Sequence, residues 1–142
     1  MKNIDKKPIP QGKYVAAIRD VNTIYTSGMT PRKSGELMFS GKIKTSVALE
    51  SYKDAVELAT LNAIGAAQNC LEENEVIGVV LQMSVFLNAE EDFKSHAKIA
   101  DFASETIIHY LGAKSIGTRA AIGVASLPSN APVEITLVCK VK

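Results

Sequence analysis

The sequence predicts an α+β domain in which two helices pack on one face of a mixed β-sheet. Two segments, 51–71 and 92–111, repeat apolar residues at the spacing of an amphipathic helix. Two others, 76–87 and 133–141, are rich in Val, Ile and Leu and carry the two-residue period of a strand. A length of 142 residues and a hydrophobic content of 46% suit one domain spanning 1–142 around one core.

Taken in order, residues 1–11 are polar, contain Pro8 and Pro10, and read as an N-terminal arm. Tyr14 to Arg19 is strand-like, Asn22 marks a turn, and Thr23 to Thr26 is a second strand ended by Ser27-Gly28. Thr30 to Gly35 has loop chemistry, and a short third strand near 37–43 is left open. Ser51, with Asp54 three residues on, resembles a capping box that opens a helix. Its inner row is Val56, Ala59, Ala63, Ala67 and Cys70, small enough to lie close against a sheet.

Val76 to Leu87 should alternate Ile77, Val79, Leu81, Met83, Val85 and Leu87 on one face. The other face is not freely polar, so both sides of the sheet should be covered, one of them by something beyond the two helices. Asp92 to Leu111 is the second helix, with Ile99, Phe102, Ala103 and Ile107 inward and Gly112 at the C-cap. Arg119 to Ala125 is a strand with Arg119, Ala121 and Gly123 on one face. After a reversal at 126–132, Val133 to Val141 alternates cleanly, with Glu134 opposite the apolar row. If these last two strands pair antiparallel, Glu134 lies near Val124 and Arg119 is roughly 17 Å further along.

Composition excludes several functions. The net charge of +1 is divided unevenly: residues 1–44 hold nine Lys/Arg against three Asp/Glu, and the rest hold seven against twelve. No aromatic residues interleave with the N-terminal lysines as a stacking platform requires, so a nucleic-acid partner is not expected. No apolar run reaches the roughly 20 residues of a membrane span, and no signal-peptide core opens the chain, which points to a cytoplasmic protein. His96 and His109 lack ligands at metal spacing, Cys70 and Cys139 fall on apolar stripes as buried thiols, and no metal site is expected. Neither nucleotide-binding glycine motif is present.

Two charges remain as candidates for chemistry. Arg119 stands beside the small residues Ala121 and Gly123, which leave room for a ligand next to a guanidinium suited to carboxylates. Glu134 opens the last strand. Both are equally readable as charges at strand ends facing solvent. Their expected separation means that they could share a small substrate only across a subunit boundary.

Gly117-Thr118-Arg119 through Ser126-Leu127-Pro128, followed by Pro132-Val133-Glu134-Ile135, resembles the C-terminal signature of the YjgF/Rid family. Tyr14-Val15 and Thr26-Ser27-Gly28 resemble its N-terminal segment, and the similarity runs from about Gly12 to Val141, closest to a branch with a longer second helix. The resemblance implies a chorismate-mutase-like fold and a homotrimer whose sheets enclose a central barrel, with clefts between subunits. It also implies hydrolysis of reactive 2-imino or enamine acids to 2-oxo acids and ammonia, without metal or cofactor. By the same resemblance Arg119 would clamp the substrate carboxylate and Glu134 would position or activate water. Tyr14, Ser27 and Gly28 would line the cleft from the adjoining subunit, beside Ala121, where the family's deaminases often carry Cys. A non-catalytic trimer that binds a small carboxylate is the alternative from another class, and RNA cleavage is a third.

Overall fold

The computed structural model describes residues 2–142. Strands β1 (Ala17–Asp20) and β2 (Thr23–Thr26) form an antiparallel hairpin. The β-branched and aromatic residues of Thr23–Thr26 explain the second strand. The first is shorter than expected, because Tyr14 to Ala16 stay outside the ladder. A second, two-residue-turn hairpin joins β3 (Arg32–Lys33) to β4 (Glu36–Leu37). It turns through Ser34 and Gly35 at φ 53° and 81°, the left-handed backbone that such turns need. The open option of a strand at 37–43 resolves into β4 and a single parallel bridge between Ile43 and Ala89.

Helix α1 (Lys53–Gln68) follows a 3-10 turn over Leu49–Tyr52. The expected Ser51 capping box does not form: Tyr52 is the N-cap and no side chain caps it. The 3-10 turn runs straight into the helix, so the Ser51 and Lys53 N–H groups already find the Ala48 and Glu50 carbonyls. From Thr60 to Ala67 every residue of α1 is buried. Its alanine row lies on the sheet, α2 (His96–Leu111) flanks it, and the N-terminal arm crosses it at Gly65, where a Cβ would collide with the Asp5 carbonyl. Cys70 lies beyond the end of α1 and is only half-buried, whereas Cys139 is fully buried and its thiol is pushed up to about 12 by desolvation.

Strand β5 (Ile77–Asn88) is central, and two irregularities in its pairing change the expected alternation. Each inserts one residue, so the inward row runs Ile77, Val80, Met83, Val85, Leu87, while Leu81 is exposed and Val79 only half-buried. Helix α2 starts at His96, not Asp92, and ends at Gly112 with φ 101° and its N–H on the Ile108 carbonyl. Strand β6 (Thr118–Val124) then pairs parallel with β5, the usual result when a helix connects two strands of one sheet. Strand β7 (Val133–Val141) pairs antiparallel with the other edge of β5, giving the order β1-β2-β7-β5-β6.

Here the structure corrects the expected pairing of the last two strands. β6 and β7 are not neighbours, because β5 lies between them. The inward row Val133, Ile135, Leu137 matches Leu87, Val85 and Met83 in register, so the most apolar strand takes the central place. The two helices lie on one side of the sheet. On the other side Ile18, Tyr25 and Val138 share one row and Phe86 and Ile122 another, with Ile18, Tyr25 and Ile122 exposed.

Candidate functional site

The ladder between β2 and β7 is interrupted where a cleft opens. Tyr25 pairs with Val138, and the next backbone partners are Met29 and Ile135, so one strand carries an extra residue in this stretch. The Leu137 N–H is taken by Thr26 Oγ1 at 3.0 Å. Ser27 gives its N–H to the Ala16 carbonyl (2.8 Å) and its hydroxyl to the Val15 carbonyl (2.6 Å), tying the chain before β1 to the cleft wall. Gly28 then passes over Glu134, and a Cβ on Gly28 would stand 2.5 Å from Glu134 Oε2 and 2.6 Å from its Cδ. Only glycine leaves that carboxylate its place.

The cleft has a volume of about 540 Å³. Tyr14, Ser27, Gly28 and Glu134 line it together in one protomer, with Arg32 from the second hairpin and Ser129 from the turn before β7. The phenol oxygen of Tyr14 accepts the Gln11 N–H at 2.9 Å, so the arm is fastened at the cleft mouth. Asp5 and Ile9 of the arm complete the rim. Glu134 is half-buried and belongs to none of the three ion pairs among the described residues. Burial alone raises its pKa above the ordinary carboxylate value.

Arg119 and Ala121 lie elsewhere. In register, Arg119 matches Met83 and Leu137, on the helix side of the sheet, whereas Glu134 matches Phe86 and Ile122 on the opposite side. One strand, β5, lies between them, which is two strand spacings or about 10 Å sideways. The Arg119 guanidinium bonds Asp101 Oδ1 (2.7 Å), Ser104 Oγ (2.9 Å) and the Ala97 carbonyl (3.4 Å), all on α2. Further along the same face the His96 ring covers Gly123, where a Cβ would meet Nε2 at 2.5 Å. One protomer therefore presents Tyr14, Ser27, Gly28 and Glu134 on one surface, and Arg119 and Ala121 with His96 nearby on another.

Three contributors were not evident from the sequence. Arg32 sits in a segment that reads only as loop, and Asn62 in a helix that reads only as apolar. Asn62 is buried and its Nδ2 donates to the carbonyls of Thr30 (3.0 Å) and Arg32 (2.8 Å), which fixes the entry to the second hairpin. A lone amide inside the Leu61–Ala67 run was the available signal, since a buried amide needs partners. The arm's role at the rim left no signal at all. Among the described residues no cluster of His, Cys, Asp or Glu could hold a metal ion, and no helix is long and apolar enough to cross a membrane.

Sheet, helices and cleft define the class: a small α+β protein with a cleft of small-molecule dimensions beside Glu134. Within that class, the chain belongs to the Endoribonuclease L-PSP family, also called the YjgF family, whose profile matches residues 4–141. It is 26% identical over 128 residues to Protein TCP17 of Trypanosoma cruzi, covering 89% of this chain and 79% of that protein. Its fold is similar to that of Atu1372, a protein of unknown function from Agrobacterium tumefaciens, at 30% identity and a TM-score of 0.80, covering 92% of this chain and 82% of that one. The YjgF protein of Escherichia coli shares the fold at 18% identity and a TM-score of 0.65, covering 99% of this chain and 98% of that one.

Proposed function

We propose that this protein hydrolyses small 2-imino acids, or their enamine tautomers, to 2-oxo acids and ammonia, and that it does so as a homotrimer with its clefts between subunits. The observation that carries this reading is the Glu134 carboxylate: half-buried, outside every described ion pair, and placed against Gly28 on the wall of the cleft. A carboxylate whose burial raises its pKa is a better base near neutral pH than one in water. Glu134 takes a proton from water as its oxygen bonds to the imine carbon, and the π electrons move to nitrogen, which is protonated. The carbinolamine then collapses. The proton held by Glu134 passes to the amine nitrogen, the carbinol O–H proton returns to Glu134 as the carbonyl forms, and the C–N pair leaves on nitrogen as ammonia. One water is consumed for each imine.

Such a substrate carries a carboxylate, and Arg119 is the group to bind it. Because Arg119 faces away from Glu134 in its own chain, it would serve the cleft of a neighbouring subunit, held in place by Asp101 and Ser104. The apolar outer rows of the sheet supply the surface on which copies could meet. Imines made in situ from several amino acids by an amino-acid oxidase test the reading, with release of 2-oxo acid followed over time. Wild type should accelerate hydrolysis, and Glu134→Gln and Arg119→Ala should each lose about 10²-fold or more. No acceleration by wild type on any imine would overturn the enzyme reading and leave the cleft as a carboxylate-binding site.

A further inference from the structure

Arg32 is the only cation on the wall of the Glu134 cleft among the described residues. It also takes part in no ion pair among the described residues. The three ion pairs are Lys2–Glu57, Arg19–Glu75 and Arg119–Asp101, and none involves it. Its guanidinium holds only neutral oxygens, the Gly35 carbonyl at 2.9 Å through Nη1 and the Ser129 hydroxyl at 3.2 Å through Nη2. Its Nε–H is buried with no partner. A buried, unsatisfied donor on a cation is costly, and a native structure normally supplies it with something.

The side chain is also held ready. Its backbone is fixed from both directions: the Arg32 N–H bonds the Thr30 carbonyl (2.8 Å), and Asn62 holds the Arg32 carbonyl. The bond to Gly35 O folds the guanidinium back along its own hairpin turn. Ser129 is exposed and sits at φ 57° in the turn before β7, so its hydroxyl can rotate away from Nη2 or join it in binding an anion. The two acids on the wall are Glu134 and Asp5, and the Asp5 carboxylate is turned to the Lys7 N–H at 2.9 Å. No helix N-terminus adds to the one guanidinium here, which suits a carboxylate better than a doubly charged phosphate.

We propose that Arg32 is the specificity-determining residue of this cleft and that it selects acids bearing a second carboxylate at the end remote from the reacting carbon. The ligand class is then a dicarboxylic 2-imino acid and its 2-oxo product. This rests on the reading of the cleft as a site for small carboxylic acids, with the neighbour's Arg119 taking the carboxylate next to the imine and Arg32 the distal one.

Calorimetric titration of the full chain with 2-oxoglutarate and with 2-oxobutyrate tests it without requiring turnover. Wild type should bind 2-oxoglutarate at least tenfold more tightly. Arg32→Met should lose that preference and keep its affinity for 2-oxobutyrate. Arg32→Lys, which keeps the charge but not the fork, should retain part of the preference and serves if the methionine variant fails to fold. Equal binding of the two acids by wild type, or a preference that survives Arg32→Met, overturns the assignment. Binding of neither acid overturns it together with the carboxylate-site reading beneath it. Selective binding with no imine hydrolysis overturns only the deaminase reading and upholds Arg32.

Discussion

Glu134 and Gly28 act as a pair, because the glycine's missing Cβ is the space the carboxylate fills. Gly28→Ala should displace the carboxylate and reduce imine hydrolysis at least tenfold while the circular-dichroism spectrum stays unchanged. The Glu134 pKa adds a second expectation, and its sign follows from proton linkage. Folding raises it, so the folded chain holds this proton more tightly than the unfolded chain. Stability from this group is present below the unfolded pKa and is lost as pH rises through the folded one. At neutral pH the ionised, half-buried carboxylate is therefore a burden, and Glu134→Gln should unfold at slightly higher denaturant concentration than wild type while losing activity. Activity should fall with acid through a midpoint raised from the ordinary glutamate value, measurable as a kcat/KM profile against pH.

The second hairpin depends on α1 for its position. Asn62 satisfies two carbonyls at its entry, those of Thr30 and Arg32, and truncating it would leave both without that donor at a buried site. Asn62→Ala should cost about 1–3 kcal/mol in denaturant unfolding and loosen Arg32, weakening 2-oxoglutarate more than 2-oxobutyrate. On the helix side of the sheet, past the end of α1, Arg19 of β1 grips Glu75, before β5, with bonds of 2.6 and 2.9 Å. The Arg19 guanidinium holds the Glu75 carboxyl down at about 2. The stability this contributes is present above the unfolded value of about 4.3 and is lost as pH falls toward 2, so Glu75→Gln should flatten the acid limb of a stability–pH curve over that window.

For the whole molecule, the outer sheet face and the divided site point to the same arrangement. Tyr25 and Ile122 stand exposed on that face, at 47% and 40%, while Arg119 lies on the helix side, with β5 between its strand and that of Glu134. In the proposed assembly wild type sediments as a species of three 15.2 kDa chains. Placing lysines at both positions, Tyr25→Lys with Ile122→Lys, should yield a monomer that keeps its secondary structure but loses imine hydrolysis, because no cleft then receives a neighbour's Arg119. A trimer that survives both changes would direct attention to another surface.

The order of the elements was legible in the chain because it rests on local periodicity and turn chemistry. The helical spacing of α2, the clean alternation of β7 and the Gly112 stop all depend on residues close in sequence. Tyr14, Ser27, Gly28 and Glu134 were legible as a set only through their resemblance to a family signature, and the sequence alone could not say that one protomer brings all four to one cleft. Tertiary structure decided the rest. Two inserted residues in β5 re-phased its inward row, β5 separated β6 from β7, and the 3-10 turn replaced the Ser51 cap. Arg32 became a cleft residue only because Asn62, thirty positions away, holds its hairpin there. The reason is common to all of these. Periodicity records which residues seek the core, but strand pairing and buried hydrogen bonds join distant positions, and that choice is made only when the chain packs.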